Sequence, residues 1–268
     1  MIIELLNGTR YDIADYDLKR LFHYIPSANI DHTSTPVDGR SDIIIDSKIN
    51  NRVISVEFLY ISQDIYDYYL LRDELNALFM RTEPYYITFK NEPHKRWLVK
   101  VANQYTIPPN PPMQSYTVDF LPFNDCAESV ATTQTLKEWD VDKWAWDGTI
   151  DWDEDLQYSF AANNFVVKNL GNVVIDPREH ELEIVLKGVF SNNVKITNHT
   201  TGEVYQYNRA LSSTDELKIK GIRTLRNGVS DFKNTNKKLL TLATGNNSIS
   251  VEGGTVNSIA FNFRFLYK

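Results

Sequence analysis

From about residue 160 to its end the chain is written almost entirely in short runs of alternating apolar and polar residues broken by turn formers. Alternation of period two puts one set of side chains on each face of a pleated strand, so this half can fold only as packed sheets. LEIVLKG at 182 to 188 places Leu182, Ile184 and Leu186 on one face, and VKITNHTTGEVYQY at 194 to 207 reads as a hairpin across Thr200, Thr201 and Gly202. ELKIKG, KKLLTLATG, SISVEGG and SIAFNFRF follow at roughly the 8–12-residue spacing of β-sandwiches. The last run sets Phe261, Phe263 and Phe265 on one face, which ties the terminal strand into a sheet.

The first half mixes two periods. RVISVEFLY at 52 to 60 alternates through Ile54, Val56, Phe58 and Tyr60; YYITFK at 85 to 90 and RWLVKV at 96 to 101 form a hairpin; SYTVDFLP at 115 to 122 continues through Tyr116, Val118 and Phe120. Between them, residues 64 to 81 carry Leu71, Leu75, Leu78 and Phe79 on one helical face, which predicts an amphipathic helix covering the sheet. The chain therefore reads as mainly β: an N-terminal β-sandwich-like domain with one α-helix over residues 1–135, a linker over 136–155, and a C-terminal β-sandwich over 156–268.

The linker has neither period. KEWDVDKWAWDGTIDWDEDLQY at 137 to 158 holds four of the five tryptophans among eight carboxylates. Trp139, Trp144, Trp146 and Trp152 can act as apolar anchors between the domains, as contacts to a partner, or as a platform for a sugar. Asp151, Asp153, Glu154 and Asp155 could supply a glycosidase pair, although acids crowded in sequence usually form a solvated face. DVDKWAWDG at 140 to 148 starts like a calcium loop, but Trp144 and Ala145 stand where an oxygen ligand and a glycine are required.

Other chemistries have less to stand on. His23, His32, His94, His180 and His199 lack metal-ligand spacing, Cys126 is the single cysteine, and neither G-x-S-x-G nor a phosphate-loop signature occurs. No cofactor, metal site or catalytic residue is expected. A net charge of −7 opposes phosphate neutralisation and disfavours specific nucleic-acid binding, while suiting a surface that DNA must pass without sticking. The opening MIIELLNGTRYDIADYD has no basic n-region, and no apolar run approaches membrane-spanning length, so export and membrane insertion are not expected.

Several stretches, taken in order, are similar to one family. They are VDGRSD at 37 to 42, RVISVEF, LLRDELNALF at 70 to 79, YYITFKNEPHKRWLVKV at 85 to 101 and YTVDFLPFNDCAES at 116 to 129. In the second half they are FVVKNLGNVVIDPREHELEIVLKG at 165 to 188, with Asn169, Gly171, Asp176 and Pro177 before the first long strand, then DELKIKGIRTLRNG and the run from NSISVEGG to FNFRFLYK. Together they resemble the distal tail proteins, the siphovirus tail component family of long-tailed phages that infect Gram-positive bacteria.

The resemblance implies a ring-forming first domain and a galectin-like second one. It implies a homohexameric ring around a DNA channel at the tail tip of the virion, assembled from chains folded in the bacterial cytoplasm. Its implied partners are the tail tube protein, the tail-associated lysin or spike and a receptor-binding protein, with DNA passing through unbound and no enzymatic activity. The rival reading is a carbohydrate-binding module that contacts host-surface glycans through the tryptophan segment. A galectin-like fold does not by itself bring sugar binding, and no tryptophan occurs after residue 160 to stack on galactose.

Overall fold

The structure is a computed structural model that describes residues 1–50, 52–109, 112–135 and 156–268. They fall into two compact units, Met1–Ala127 and Glu128–Lys268. The mainly β character expected from the alternation is borne out, with one α-helix among the described residues.

The first unit runs β1 (Ile2–Leu5), β2 (Arg10–Asp12), a 3-10 turn (Ile13–Tyr16), β3 (Leu18–Tyr24), β4 (Asn29–Thr35), β5 (Ile43–Asn50), β6 (Ile54–Ile61), α1 (Ile65–Phe79), β7 (Tyr85–Thr88), β8 (Lys95–Val101) and β9 (Met113–Pro122). Seven of these strands form an antiparallel path in the order β2-β1-β7-β8-β9-β6-β3. The alternation in β6 works as expected: Ile54, Val56, Phe58 and Tyr60 are fully buried, opposite Phe120, Val118 and Tyr116 of β9 and Gln114 respectively.

Helix α1 begins where Asp64 accepts hydrogen bonds from the backbone N–H groups of Tyr66 (2.8 Å) and Asp67 (2.9 Å), satisfying two donors that the first turn leaves unpaired. Leu71, Leu75, Leu78 and Phe79 are buried, joined by Tyr68. Phe79 packs against Phe58 and Phe120, with ring centroids 5.3 and 5.9 Å apart. The phenols brought inside find acceptors: Tyr60 donates to the Pro108 carbonyl at 2.6 Å, Tyr68 to Ile107 at 2.8 Å and Tyr85 to Phe79 at 3.0 Å. Trp97 sits in this core and Cys126 is buried, as a structural cysteine should be.

A short strand, β10 (Ala127–Ser129), lies at the division between units. The second unit then comprises β11 (Ser159–Phe160), β12 (Asn164–Asn169), β13 (Leu182–Asn198), β14 (Glu203–Tyr207), β15 (Leu217–Lys220), β16 (Arg223–Arg226), β17 (Val229–Ser230), β18 (Gly245–Phe263) and β19 (Leu266–Tyr267). Its frame is the pair β13 and β18, of 17 and 19 residues.

Each long strand serves two layers. Residues 183–186 of β13 pair with β15, and residues 194–198 pair with β14; β18 pairs with β12 at 245–250 and with β11 at 259–260. Between these segments the β13–β18 register shifts at Lys187/Gly188 and Phe190/Lys195, and such bulges let a strand turn a corner from one layer into the other. The corner needs glycine at position 254, where a Cβ would lie 2.1 Å from the Val189 carbonyl oxygen. The layers close on Leu186, Ile196, Leu217, Ile249, Ile259 and Phe261, and a hydrogen bond of 2.9 Å links Tyr205 of β14 to Thr224 of β16. Asn198 is fully buried and donates to Asn247 Oδ1 and the Thr241 carbonyl, so the Asn198-His199-Thr200 sequence is a structural knot.

Candidate assembly surface

The four tryptophans singled out in the sequence, Trp139, Trp144, Trp146 and Trp152, lie outside the described residues, as do Asp151, Asp153, Glu154, Asp155 and the 140–148 loop. Among the described residues no three His, Cys, Asp or Glu side chains are grouped to hold a metal, and no helix is long and apolar enough to cross a membrane. What the described residues do present is an exposed two-stranded ribbon rich in isoleucine.

Strands β4 and β5 pair only with each other, forming a two-stranded sheet apart from the seven-strand path. Every residue of β4 is exposed, and so is all of β5 except Asn50. The turn between them contains Asp38 and Gly39, with Gly39 at φ +74° and the Arg40 N–H donating to the Val37 carbonyl at 3.1 Å. A two-stranded ribbon with no layer behind it is marginal in water, so this arm needs a surface to lie on.

The register shows what the arm offers. Ile30 faces Ile49, His32 faces Ser47 and Ser34 faces Ile44, while the shift between Thr33 and Ser34 leaves Ile45 as the extra residue of a bulge. Ile30, Ile44 and Ile49 therefore share one face with the His32–Ser47 hydrogen bond of 2.8 Å, and Ile43 lies on the other face beside Thr35. The five isoleucines are 45–63% exposed. Covering each on association would contribute about 1 kcal/mol, half of what burying a whole side chain yields. Left uncovered, paired strands with open edges and apolar faces are a route to aggregation.

The strand leading into the arm carries more of the same. β3 ends the seven-strand path, and its Phe22 and Tyr24, opposite Glu57 and Ser55 of β6, are 59% and 61% exposed. His23 between them turns inward, opposite Val56, and stacks on Phe89 with centroids 4.0 Å apart. Burial, and then the charge of Arg20 in hydrogen-bond contact with its Nδ1, holds the His23 pKa below its ordinary value, so the ring is neutral at pH 7. The chemistry of this surface is that of a β-edge and an apolar face, which suits protein association.

The arm was not legible as a functional feature in the sequence. Its strands are exposed on both faces, so no buried alternation marks them, and the available signal was Asp38-Gly39, a strong hairpin dipeptide, between IDHTST and IIIDSKI.

Residues 7–121 match the model of the family described as phage tail protein RIFT-related domain. That span contains the arm, β3 and α1. No curated protein matches the chain. Among solved structures, the crystal structure of the SPP1 Dit (gp 19.1) protein, described as a paradigm of the hub adsorption apparatus in Gram-positive infecting phages, superposes with a TM-score of 0.71 at 14% identity, covering 98% of each chain. Chains of the phage p2 baseplate in its activated conformation, with Sr and with Ca, align at a TM-score of 0.49 and 9% identity, over 98% of this chain and 96% and 97% of theirs. The resemblance drawn from the sequence is borne out: the first unit carries a phage tail domain, and the chain along nearly its whole length has the fold of the SPP1 Dit protein.

Proposed function

We propose that this phage tail protein is the structural hub of a tail-tip baseplate, a virion component whose copies close into a hexameric ring around the DNA channel. The ring joins the tail tube to the tail-tip lysin or spike and carries receptor-binding proteins. The observation that carries this reading is the β4–β5 arm, a ribbon with five exposed isoleucines inside the span that matches the tail-protein family. Supporting it, the SPP1 Dit protein that shares the fold along the full chain is itself a hub of an adsorption apparatus. A hub works by binding, and none of its roles asks for catalysis.

A ring requires a heterologous contact, in which one surface of a copy meets a different surface of the next and the rotation closes. The arm and the exposed Phe22 and Tyr24 of β3 are two apolar surfaces that such a contact could use. The test is solution mass by light scattering on a sizing column, with negative-stain images of the main peak. The expected species is about six times the 31.0 kDa chain and ring-shaped in projection. Ile44→Asp combined with Ile49→Asp should return it to a single-chain mass; an oligomer that survives both substitutions would remove the arm from the contact, and a wild-type monomer at high concentration would overturn self-assembly.

A further inference from the structure

The second unit contains a cleft of about 370 Å³, in the size range of small-ligand sites. It lies where β13 begins, β18 ends and the β15–β16 turn meets the loop before β13, against Pro177 and the exposed Ile222. Its charge is opposite to that of the chain. Arg178, Lys220, Arg223 and Arg264 line it against Glu181 and Glu183, whereas the whole protein carries −7.

These cations are not equally committed. Arg264 is occupied, donating to the carbonyls of Ser129 (2.8 Å) and Val130 and lying 3.6 Å from Glu128. Lys220 is only 4.0 Å from Glu183, which Lys218 also approaches at 3.6 Å. Arg178 uses its Nε on Asp176 at 3.1 Å, leaving both terminal nitrogens available, and the Arg223 side chain has no hydrogen bond or ion pair among the described residues. Register places Arg223 beside Lys220, Lys220 beside Glu183 and Glu183 beside Asn262, a polar row crossing four strands.

The wall is held in place before any ligand arrives. Asp176 accepts from the Arg178 N–H at 2.9 Å, its carbonyl accepts from the N–H groups of Glu179 and His180, and its own N–H donates to His180 Nδ1 at 3.1 Å. Because Nδ1 accepts, Nε2 carries the ring hydrogen, which makes His180 a hydrogen-bond donor in the cleft lining. At the other end of the row, Asn262 Oδ1 is buried without a partner and still needs a donor. Guanidinium, ammonium and imidazole donors at one end call for an oxyanion; the carboxylate oxygens of Glu181 and Glu183 call for hydroxyl groups.

We infer that this cleft binds a hydroxyl-bearing oxyanion, a phosphate or carboxylate carried on a polyol, through Arg178, Arg223, Lys220 and His180. The Asp176 hydrogen bonds fix Arg178 and His180 beforehand, which lowers the ordering cost of binding at that wall.

The test is calorimetric titration of the full chain with glycerol 3-phosphate, inorganic phosphate, glucuronate, a glycerophosphodiester and neutral glycerol. Saturable binding of glycerol 3-phosphate or glucuronate, weaker for inorganic phosphate and absent for glycerol, is expected, and added salt should weaken it. Arg223→Ala and Arg178→Ala should each lower affinity about tenfold, the scale of a charge-assisted hydrogen bond, while Lys195→Ala outside the cleft changes nothing. A diester that binds as tightly as the monoester assigns the ligand to a polymer chain, and preference for the monoester assigns it to a free metabolite; both keep the inference. No saturable binding of any anion, equal binding of glycerol, or unchanged affinity in the Arg178→Ala, Arg223→Ala double variant would overturn it. Both arginines are at the surface, so the fold should persist, and an unchanged thermal midpoint checks this.

Discussion

Asp215 accepts from the guanidinium of Arg226 at 2.9 Å, from the Ser212 N–H at 2.8 Å and hydroxyl at 2.7 Å, and from Asn227 Nδ2 at 2.8 Å. Arg226 foremost, then Ser212 and Asn227, hold its pKa well below the usual carboxylate range. A depressed folded pKa means that the stabilisation is present above the unfolded value of about 4 and is lost as pH falls through the folded one. Asp215→Asn should therefore cost about 2 kcal/mol at pH 7 in denaturant titrations, and the gap from the wild-type protein should narrow below about pH 4. A gap of equal size at pH 7 and pH 2.5 would show that the charge is not the cause. None of this was legible in the sequence, where DELKIKG announced only a strand, because Asp215 meets partners from its own turn and from the far end of β16. The opposite case is Phe261 and Phe263, whose alternation alone placed them in the core.

Elements that bury one face were readable, and elements that bury none were not. Helix α1 showed its period because Leu71, Leu75, Leu78 and Phe79 must all reach the sheet. Leu75→Ala, at a fully buried site, should destabilise the first unit by about 2–5 kcal/mol, and Asp64→Ala, which removes the cap, by about 1 kcal/mol, both measured by chemical denaturation. The order of the two losses is the informative result, since a cap that costs more than the core leucine would mean the helix is held by its first turn and not by its packing. The arm behaves differently at the same scale. Ile44 and Ile49 touch no core of their own unit, so Ile44→Asp with Ile49→Asp should leave the stability of the single chain within about 0.5 kcal/mol while abolishing the oligomer. A large loss of stability in the monomer would mean that the arm folds back on its own unit in solution.

For the whole molecule, the change from an α+β texture to a purely β one gave the architecture, and the tryptophan stretch between them remains the part of the sequence reading that the described residues do not reach. Charge is the property that acts over the full assembly. A channel for DNA has to pass a polyanion without holding it, and each copy in the proposed ring would contribute −7. Proteins that hold a duplex do so by neutralising phosphates with lysine and arginine, with an affinity that falls steeply as salt rises. The cations of the cleft in the second unit are few and local, too few to replace the many phosphate contacts that duplex binding requires. The assembled protein should therefore leave a fluorescent 30-base-pair duplex freely tumbling at about 150 mM salt, a range where nonspecific binders of B-DNA have dissociation constants of about 10⁻⁴ to 10⁻⁶ M. Anisotropy that rises to saturation at micromolar protein and collapses with added salt would reveal a cationic lining, and the ring would then be a DNA-gripping device instead of a conduit. A flat response together with a ring-sized mass is the combination that a passive conduit demands, because repulsion between like charges keeps the duplex off the wall while the apolar arms keep the wall closed.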